Sequence, residues 1–242
     1  MSTTAIDVPQ TQAPSSIERW YVLILMCLIY AINIADRYVV STVLEPIRLE
    51  LKLSDAGIAF LTGAPLAAFY VTFGILISWY ADRSNRRNIL AASLIIWSAF
   101  TALCGVSRNY WQFLLGRIGV GAGEAGGTPP STAIVSDYFP PDRRPMAMTV
   151  LALGAPIGAF IGANMAGAVA QAYTWRAAFI ALGIPGLIVG LIVYFTVREP
   201  RRGRLDAIVD EIKPSLWESL VFLYKQKAAF HVVMGGGVCA LW

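Results

Sequence analysis

The chain has 242 residues, of which 57% are hydrophobic and 14% charged, with a mean hydropathy of +0.60. Soluble domains are roughly 45–50% apolar and about 25% charged, so the composition excludes a soluble single domain, a disordered chain and a nucleic-acid binder. It points to an integral membrane protein. The 19 Lys and Arg against 15 Asp and Glu leave a net charge of +4, and in a membrane protein the placement of those charges says more than their sum.

Residues 1–19, rich in Ser, Thr, Gln and Pro, read as a disordered cytoplasmic tail. They are no secretory signal, because the first apolar run is too long and continues into Asp36-Arg37 instead of a small-residue cleavage site. A spanning helix needs roughly 20 mainly apolar residues. Six segments meet that criterion: Trp20–Val40, Gly57–Tyr80, Ile89–Val106, Trp111–Ser136, Ala147–Tyr173 and Ala177–Val197. Residues 20–200 are therefore expected to form a six-helix transmembrane bundle.

A basic, polar linker over 201–227 follows. Within it Leu216, Leu220 and Leu223 recur at helical spacing among Glu218, Lys225 and Lys227, which reads as an amphipathic helix lying in the membrane interface. The apolar run over 228–242 is too short to cross and is read as the start of a seventh span, so the chain is expected to be a fragment or a truncated gene product. With the N-terminus inside, the inner segments carry 13 Lys and Arg and the outer loops four. That bias predicts a multi-pass protein of the plasma (inner) membrane with a cytoplasmic N-terminus.

Cys27, Cys104 and Cys239 sit in apolar runs without CxxC spacing, and read as small buried hydrophobes. His231 is the single histidine, which leaves no basis for a multi-histidine metal site or a serine triad. No HExxH, GxSxG or phosphate-cradling loop occurs. Neither an enzyme, a metal nor a cofactor is expected.

Ionisable groups at mid-membrane cost about 2.5–3.5 kcal/mol each on insertion scales and mark functional sites. Asp36 and Arg37 lie in the first span, Arg117 and Glu124 in the fourth. Tyr30, Asn33, Asp36 and Arg37 form one stripe of the first helix. On an unbroken fourth helix, Gly121, Glu124, Thr128 and Ser131 fall within about 40° of Arg117, and Gly119, Gly123 and Gly127 on the opposite face. One face is polar, and the other is a small-residue ladder for close helix packing. Counting about 1.5 Å per residue, Asp36 and Arg117 both lie in the outer half of the bilayer, so a pair between them is feasible. Asp36 or Glu124 then reads as a proton carrier, and Arg37 and Arg117 as anchors for an anionic group or as partners of the acids. Pro129-Pro130 predicts a kink in the fourth span, and Gly154-xxx-Gly158-xxx-Gly162 with Pro156 predicts tight packing or a hinge in the fifth. The charges sit in the first members of two three-helix repeats, an arrangement typical of secondary transporters.

The loop Ser78-Trp79-Tyr80-Ala81-Asp82-Arg83-Ser84-Asn85-Arg86-Arg87 resembles the G-xxx-D-R-x-G-R-R loop of the major facilitator superfamily, with Ser78 and Asn85 in place of its two glycines. Asn85 is read as a tolerated change because Asn accepts a left-handed backbone. Arg117-xx-Val120-Gly121-Ala122-Gly123 is similar to the superfamily's R-xx-x-G-x-G pattern, and Gly154-Ala155-Pro156-Ile157-Gly158 partly resembles its antiporter motif. Asp36-Arg37-Tyr38, Gly121-Ala122-Gly123-Glu124-Ala125 and Asp137-Tyr138-Phe139-Pro140 look like the spinster branch, which is associated with lysolipid and sphingolipid export.

The resemblance implies an all-α fold, the six-helix N-terminal half of a twelve-span facilitator built from two three-helix repeats. It implies a secondary active transporter that moves a small organic or amphiphilic, lysolipid-like solute by alternating access, coupled to protons. Substrate and proton coupling would involve Asn33, Asp36, Arg37, Arg117 and Glu124. A cytoplasmic gate would use Asp82, Arg83, Arg86 and Asp137, with Arg86 and Asp137 forming an ion pair and Asp82 near Arg86 or solvent. The partners are the solute, protons, the bilayer and a C-terminal half or second chain that completes the cavity. The alternative function is a non-transporting membrane receptor or structural subunit.

Overall fold

The computed structural model describes residues 14–63, 72–74, 76–77, 79–80, 83–200 and 216–226. Among them every regular element is helical: α1 (Ser16–Thr42), α2 (Leu44–Leu51), α3 (Asp55–Thr62), α4 (Arg86–Cys104), α5 (Tyr110–Glu124), α6 (Thr128–Tyr138), α7 (Arg144–Ala152), α8 (Gly154–Ala172), α9 (Trp175–Thr196) and α10 (Leu216–Lys225). Four helical stretches, α1, α4, α7 with α8, and α9, are long and apolar enough to cross a membrane. The seventh apolar run, most of the linker, and Asp82, Cys239 and His231 lie outside the described residues, as does much of the second expected span.

Helix ends follow local chemistry. Ser15 caps α1 by accepting a hydrogen bond from the Glu18 amide at 3.1 Å, so residues 16–19 belong to the first helix and not to the tail assigned above. Asn85 departs from its reading too. Its φ is −71°, and its side chain accepts from the Asn88 amide at 2.9 Å. The residue is an N-cap, and no left-handed backbone is needed.

The fourth and fifth expected spans are each divided. Ala125–Gly127 leave the α-helix, with the Gly126 and Gly127 amides reaching back only three residues, before Pro129 and Pro130 open α6. Proline carries no amide donor and is tolerated only in a helix's first turn, so the kink expected at this site is a full break. At Leu153 a single residue separates α7 from α8 while keeping helical backbone angles, and Pro156, without an amide hydrogen, cannot return a hydrogen bond to Ala152.

Glycine governs the packing. A Cβ on Gly116, Gly119, Gly123 or Gly126 would run into Cys104, Phe100, Trp97 or Ser93, which occupy matching positions along α4. A second ladder, Gly154, Gly158 and Gly162 on α8, meets the backbone of Cys27, Ala31 and Ala35 on α1. A third, Gly183, Gly186 and Gly190 on α9, meets Ala102, Ser98 and Ile95 on the other side of α4. Without a hydrophobic drive between helices in lipid, such backbone proximity supplies the attraction. Gly74 and Ile77 of the second span reach Ala125 and Gly126. Spans one and five, two and four, and three and six are thus neighbours, the pattern of two related three-helix repeats. Outward faces carry exposed Phe160, Ile161, Leu191 and Phe195, suited to acyl chains.

At the end of the bundle where α9 begins, Glu50 accepts hydrogen bonds from Trp175 Nε1 and Arg176 Nη1, both at 2.6 Å, and Arg176 also donates to the Ser107 carbonyl at 3.0 Å. The Trp175 bond first, then Arg176, holds the Glu50 carboxyl below the usual carboxylate range. The clasp is therefore intact at neutral pH and released only as pH falls through that lowered range.

The ladders make a direct prediction. Gly158→Ala, whose new Cβ overlaps the Ala31 backbone, is expected to destabilise the bundle by about 1–3 kcal/mol. Gly121→Ala, whose Cβ meets open space, should be neutral or stabilising by up to about 1 kcal/mol. Thermal unfolding of both variants in detergent micelles checks the contrast.

Candidate functional site

Asp36 projects from α1 between α4 and α5 and is 1% exposed. One carboxylate oxygen accepts from Arg117 Nη1 of α5 at 2.8 Å, the other from Thr101 Oγ1 of α4 at 2.7 Å. Arg117 is itself buried. A carboxylate removed from water needs both oxygens bonded, and here three helices supply the acid, the guanidinium and the hydroxyl. Next along α1, Arg37 reaches the other way. Its Nη2 lies 3.3 Å from Glu124 Oε2, and 42% of its side chain stays exposed. Glu124 is buried, and its Oε1 has no hydrogen-bond partner among the described residues. The four charges thus form two unlike pairs: in one both oxygens of the acid are bonded, while Arg117 Nε keeps no partner among the described residues, and in the other the base is partly exposed and the acid has an unbonded oxygen.

Asn33 is buried one turn below this constellation. It lines a cavity of about 190 Å³ together with Tyr30, Trp97, Ser131, Thr132 and Met148. No wall residue of that cavity is charged. Thr128 and Ser131, placed on the Arg117–Glu124 face by an unbroken helix, line this cavity, whereas Arg117 and Glu124 do not. The break at Ala125–Gly127 takes α6 out of register with α5, which is why the wheel misplaces them.

At the end of the bundle where α4 begins and α6 ends, Arg86 Nη1 and Asp137 Oδ2 stand 2.7 Å apart, both largely buried. The Arg83 guanidinium lies 4.1 Å from the centre of the Trp79 ring and donates to the Trp79 carbonyl. Asp82 is outside the described residues. Sequence reasoning missed Glu199, whose two oxygens accept from the Arg86 and Arg87 amides at 3.0 and 2.7 Å. An anion there satisfies orphan donors and meets the positive end of the α4 dipole. An acid set in the basic run Arg198-Glu199-Pro200-Arg201-Arg202 was a usable signal. Tyr138 closes the cluster by donating to the Arg198 carbonyl at 2.9 Å. Thr101 and Trp97 were also missed, and an isolated Thr or Trp in an apolar span carries no signal of its own.

Comparison with known proteins agrees with this architecture. A sequence model described as Major Facilitator Superfamily matches residues 26–241, and the chain belongs to that superfamily. Within it the chain is spinster-like and corresponds to an N-terminal half. It is 37% identical to a solved bacterial homologue of the human lysosomal transporter Spinster in an inward-facing and occupied conformation, with a TM-score of 0.77 over 80% of this chain and 47% of that one. It is 29% identical to an MFS-type efflux pump of Mycolicibacterium smegmatis, covering 96% of this chain and 53% of that protein. It is 28% identical to the sphingosine-1-phosphate transporter SPNS2 of Danio rerio, covering 87% and 44%. The chain spans about half the length of the curated relatives it matches.

The closed pair makes a prediction. Arg117→Met leaves Asp36 charged and buried beside Thr101 alone, and should cost about 3–5 kcal/mol. Adding Asp36→Asn removes the stranded charge and should recover most of that loss. Thermal unfolding of the single and double variants in detergent decides it: equal stability would mean the pair is not what holds α1 to α5.

Proposed function

We propose that the chain is the N-terminal half of a secondary active transporter that moves a small organic or amphiphilic, lysolipid-like solute by alternating access, driven by protons. One observation carries the reading: the two buried acids are bonded unequally. Asp36 has both oxygens occupied by donors, whereas Glu124 keeps a buried oxygen without a partner. A buried carboxylate oxygen left without a donor is the place where an added proton costs no existing hydrogen bond. Glu124 is therefore the proton carrier, and Asp36 serves by fixing Arg117.

Arg37, half exposed beside Glu124, is the group placed to meet an anionic solute head, and its planar fork suits carboxylate or phosphate. Solute and proton would then compete for the Arg37–Glu124 pair: protonation of Glu124 weakens its hold on Arg37, and an arriving anion replaces it. The name of the relative SPNS2, a sphingosine-1-phosphate transporter, is compatible with an anionic amphiphile. The uncharged cavity beside Asn33 would take the apolar part.

Arg86 and Asp137, reinforced by Glu199 at the α4 N-terminus, would latch the cytoplasmic side in one state and part in the other, with Asp82 and Arg83 in the adjoining loop. The other wall of the cavity would come from a C-terminal half or second chain. In this reading the N-terminus and the linker carrying α10 face the cytoplasm, with the exposed Trp217 and Phe222 of α10 resting on the inner leaflet.

The test is flux into proteoliposomes by the chain joined to its C-terminal half. Glu124→Gln should drop pH-gradient-driven flux to background while solute exchange at equal pH continues. Gradient-driven flux that survives this change removes Glu124 from the proton path. For the latch, Arg86→Ala should leave the protein folded and increase labelling of cysteines introduced at the cytoplasmic mouth. Unchanged labelling would make the Arg86–Asp137 pair a packing contact only.

A further inference from the structure

The wall of the cavity between α1, α4, α6 and α7 contains a buried carboxamide that the charged site leaves unused. Asn33 of α1 is 5% exposed and lines the cavity. Its side chain makes no hydrogen bond among the described residues, yet neither its oxygen nor its nitrogen is sealed from water. It therefore offers the cavity an acceptor and a donor side by side in one plane. The rest of the wall is polar without being charged. Tyr30 and Thr128 carry hydroxyls that turn to donate or accept. The Ser131 and Thr132 hydroxyls donate to the Gly127 and Pro129 carbonyls at 2.8 and 2.9 Å, so towards the cavity they offer lone pairs. Trp97 contributes only its ring, because its Nε1 is closed off.

We infer that this cavity binds a neutral, carboxamide-like group of the solute, with Asn33 as the residue that recognises it. Such a group presents one donor and one acceptor at the spacing of Asn33's own, so the two amides pair edge to edge through two hydrogen bonds. A carboxylate brings two acceptors. One of them faces Asn33 Oδ1, the lone pairs of Ser131 and Thr132 add to the mismatch, and no cation stands in the wall to offset the charge. An amidinium brings two donors, one of which faces Asn33 Nδ2, and no anion stands in the wall either. Tyr30 and Thr128 adapt to whichever atoms the group leaves free, so Asn33 sets the preference. Ile29, Met148, Leu151 and Ala152 suit a ring or chain attached to the amide. At about 190 Å³ the space exceeds the roughly 150 Å³ apolar cavity known to accept benzene. Arg37 follows Asn33 by one turn of α1, about 6 Å along the axis. The inference rests on the reading of Arg37 as the seat of an anionic head and of this cavity as the place of the apolar part. It sets a neutral amide between the two.

Three planar probes of one shape separate the cases: para-fluorobenzamide, para-fluorobenzoate and para-fluorobenzamidinium. Each is titrated by fluorine NMR against the full 242-residue chain in zwitterionic lipid nanodiscs, and binding is the saturable part that empty nanodiscs lack. The readout is the change that each affinity undergoes in Asn33 variants. Asn33→Leu should weaken the benzamide about tenfold, the effect of two neutral hydrogen bonds, and leave the benzoate, held at Arg37, unchanged. Asn33→Asp presents two acceptors and should likewise weaken the benzamide while strengthening the benzamidinium. Benzamide binding that survives Asn33→Leu overturns the inference, and so does an equal loss for all three probes. Should neither variant fold, photolabelling of the unaltered chain with para-azidobenzamide decides. Attachment is expected in the peptides carrying Tyr30 or Met148, suppressed by excess benzamide and not by benzoate; labelling elsewhere, or equal suppression by benzoate, overturns the inference. None of these measurements uses a proton gradient, so their failure leaves the transport reading standing. A failure of gradient-driven flux likewise leaves the binding result intact.

Discussion

The carboxylate of Asp36 can lie inside an apolar bundle only if the bundle supplies donors for both of its oxygens, and that requirement organises the protein around it. Arg117 and Thr101 are those donors, on two different helices, at 2.8 and 2.7 Å. Such distances demand that α1, α4 and α5 approach more closely than large side chains allow. The glycine ladders make this approach possible: α5 meets α4 through Gly116, Gly119 and Gly123, and α8 meets α1 through Gly154, Gly158 and Gly162. Backbone proximity is thus what brings the buried acid within reach of its donors.

Helix α4 links the separate parts of the molecule. Glycines of α5 and α9 press on it from two sides. Its N-terminus holds Arg86 against Asp137 and is capped by Asn85 and Glu199, while Trp97 and Thr101 further along face the cavity and the charged site. A single helix that carries the Arg86–Asp137 ion pair at one end and a ligand of the central acid near the other physically connects the two. The break between α5 and α6 has the complementary role. It uncouples the register of Thr128 and Ser131 from that of Arg117 and Glu124, so one span serves two environments, a charged one and a neutral one.

Much of this was legible in the chain. The spans followed from hydropathy and length, the family from short motifs around Asp36, Arg86, Arg117 and Asp137, and the packing faces of the fourth and fifth spans from glycine spacing. The readings that changed were local ones with a competing local cause. Two prolines and a glycine pair ended a helix that hydropathy alone carried through, Asn85 served as a cap where a left-handed turn was expected, and a serine cap began α1 before its apolar run. The third ladder, Gly183, Gly186 and Gly190, was visible at helical spacing, three and then four residues apart, and was overlooked in an otherwise uniform apolar stretch.

The sequence by itself determined that this is an apolar helical bundle and which ionisable residues lie within it, because hydropathy, charge placement and helical period are properties of nearby residues. It left open which acid is bonded to which base, since Asp36 and Glu124 are equivalent in composition and each has an Arg within reach. Tertiary structure decided that Asp36 is closed by Arg117 and Thr101 and that Glu124 is left with an unbonded oxygen, and it brought Trp97, Ser131 and Thr132 to one neutral cavity. Those outcomes depend on contacts between residues about 30 to 90 positions apart. Hydrogen-bond partners at such separation are set by how helices cross, and no local pattern encodes that geometry.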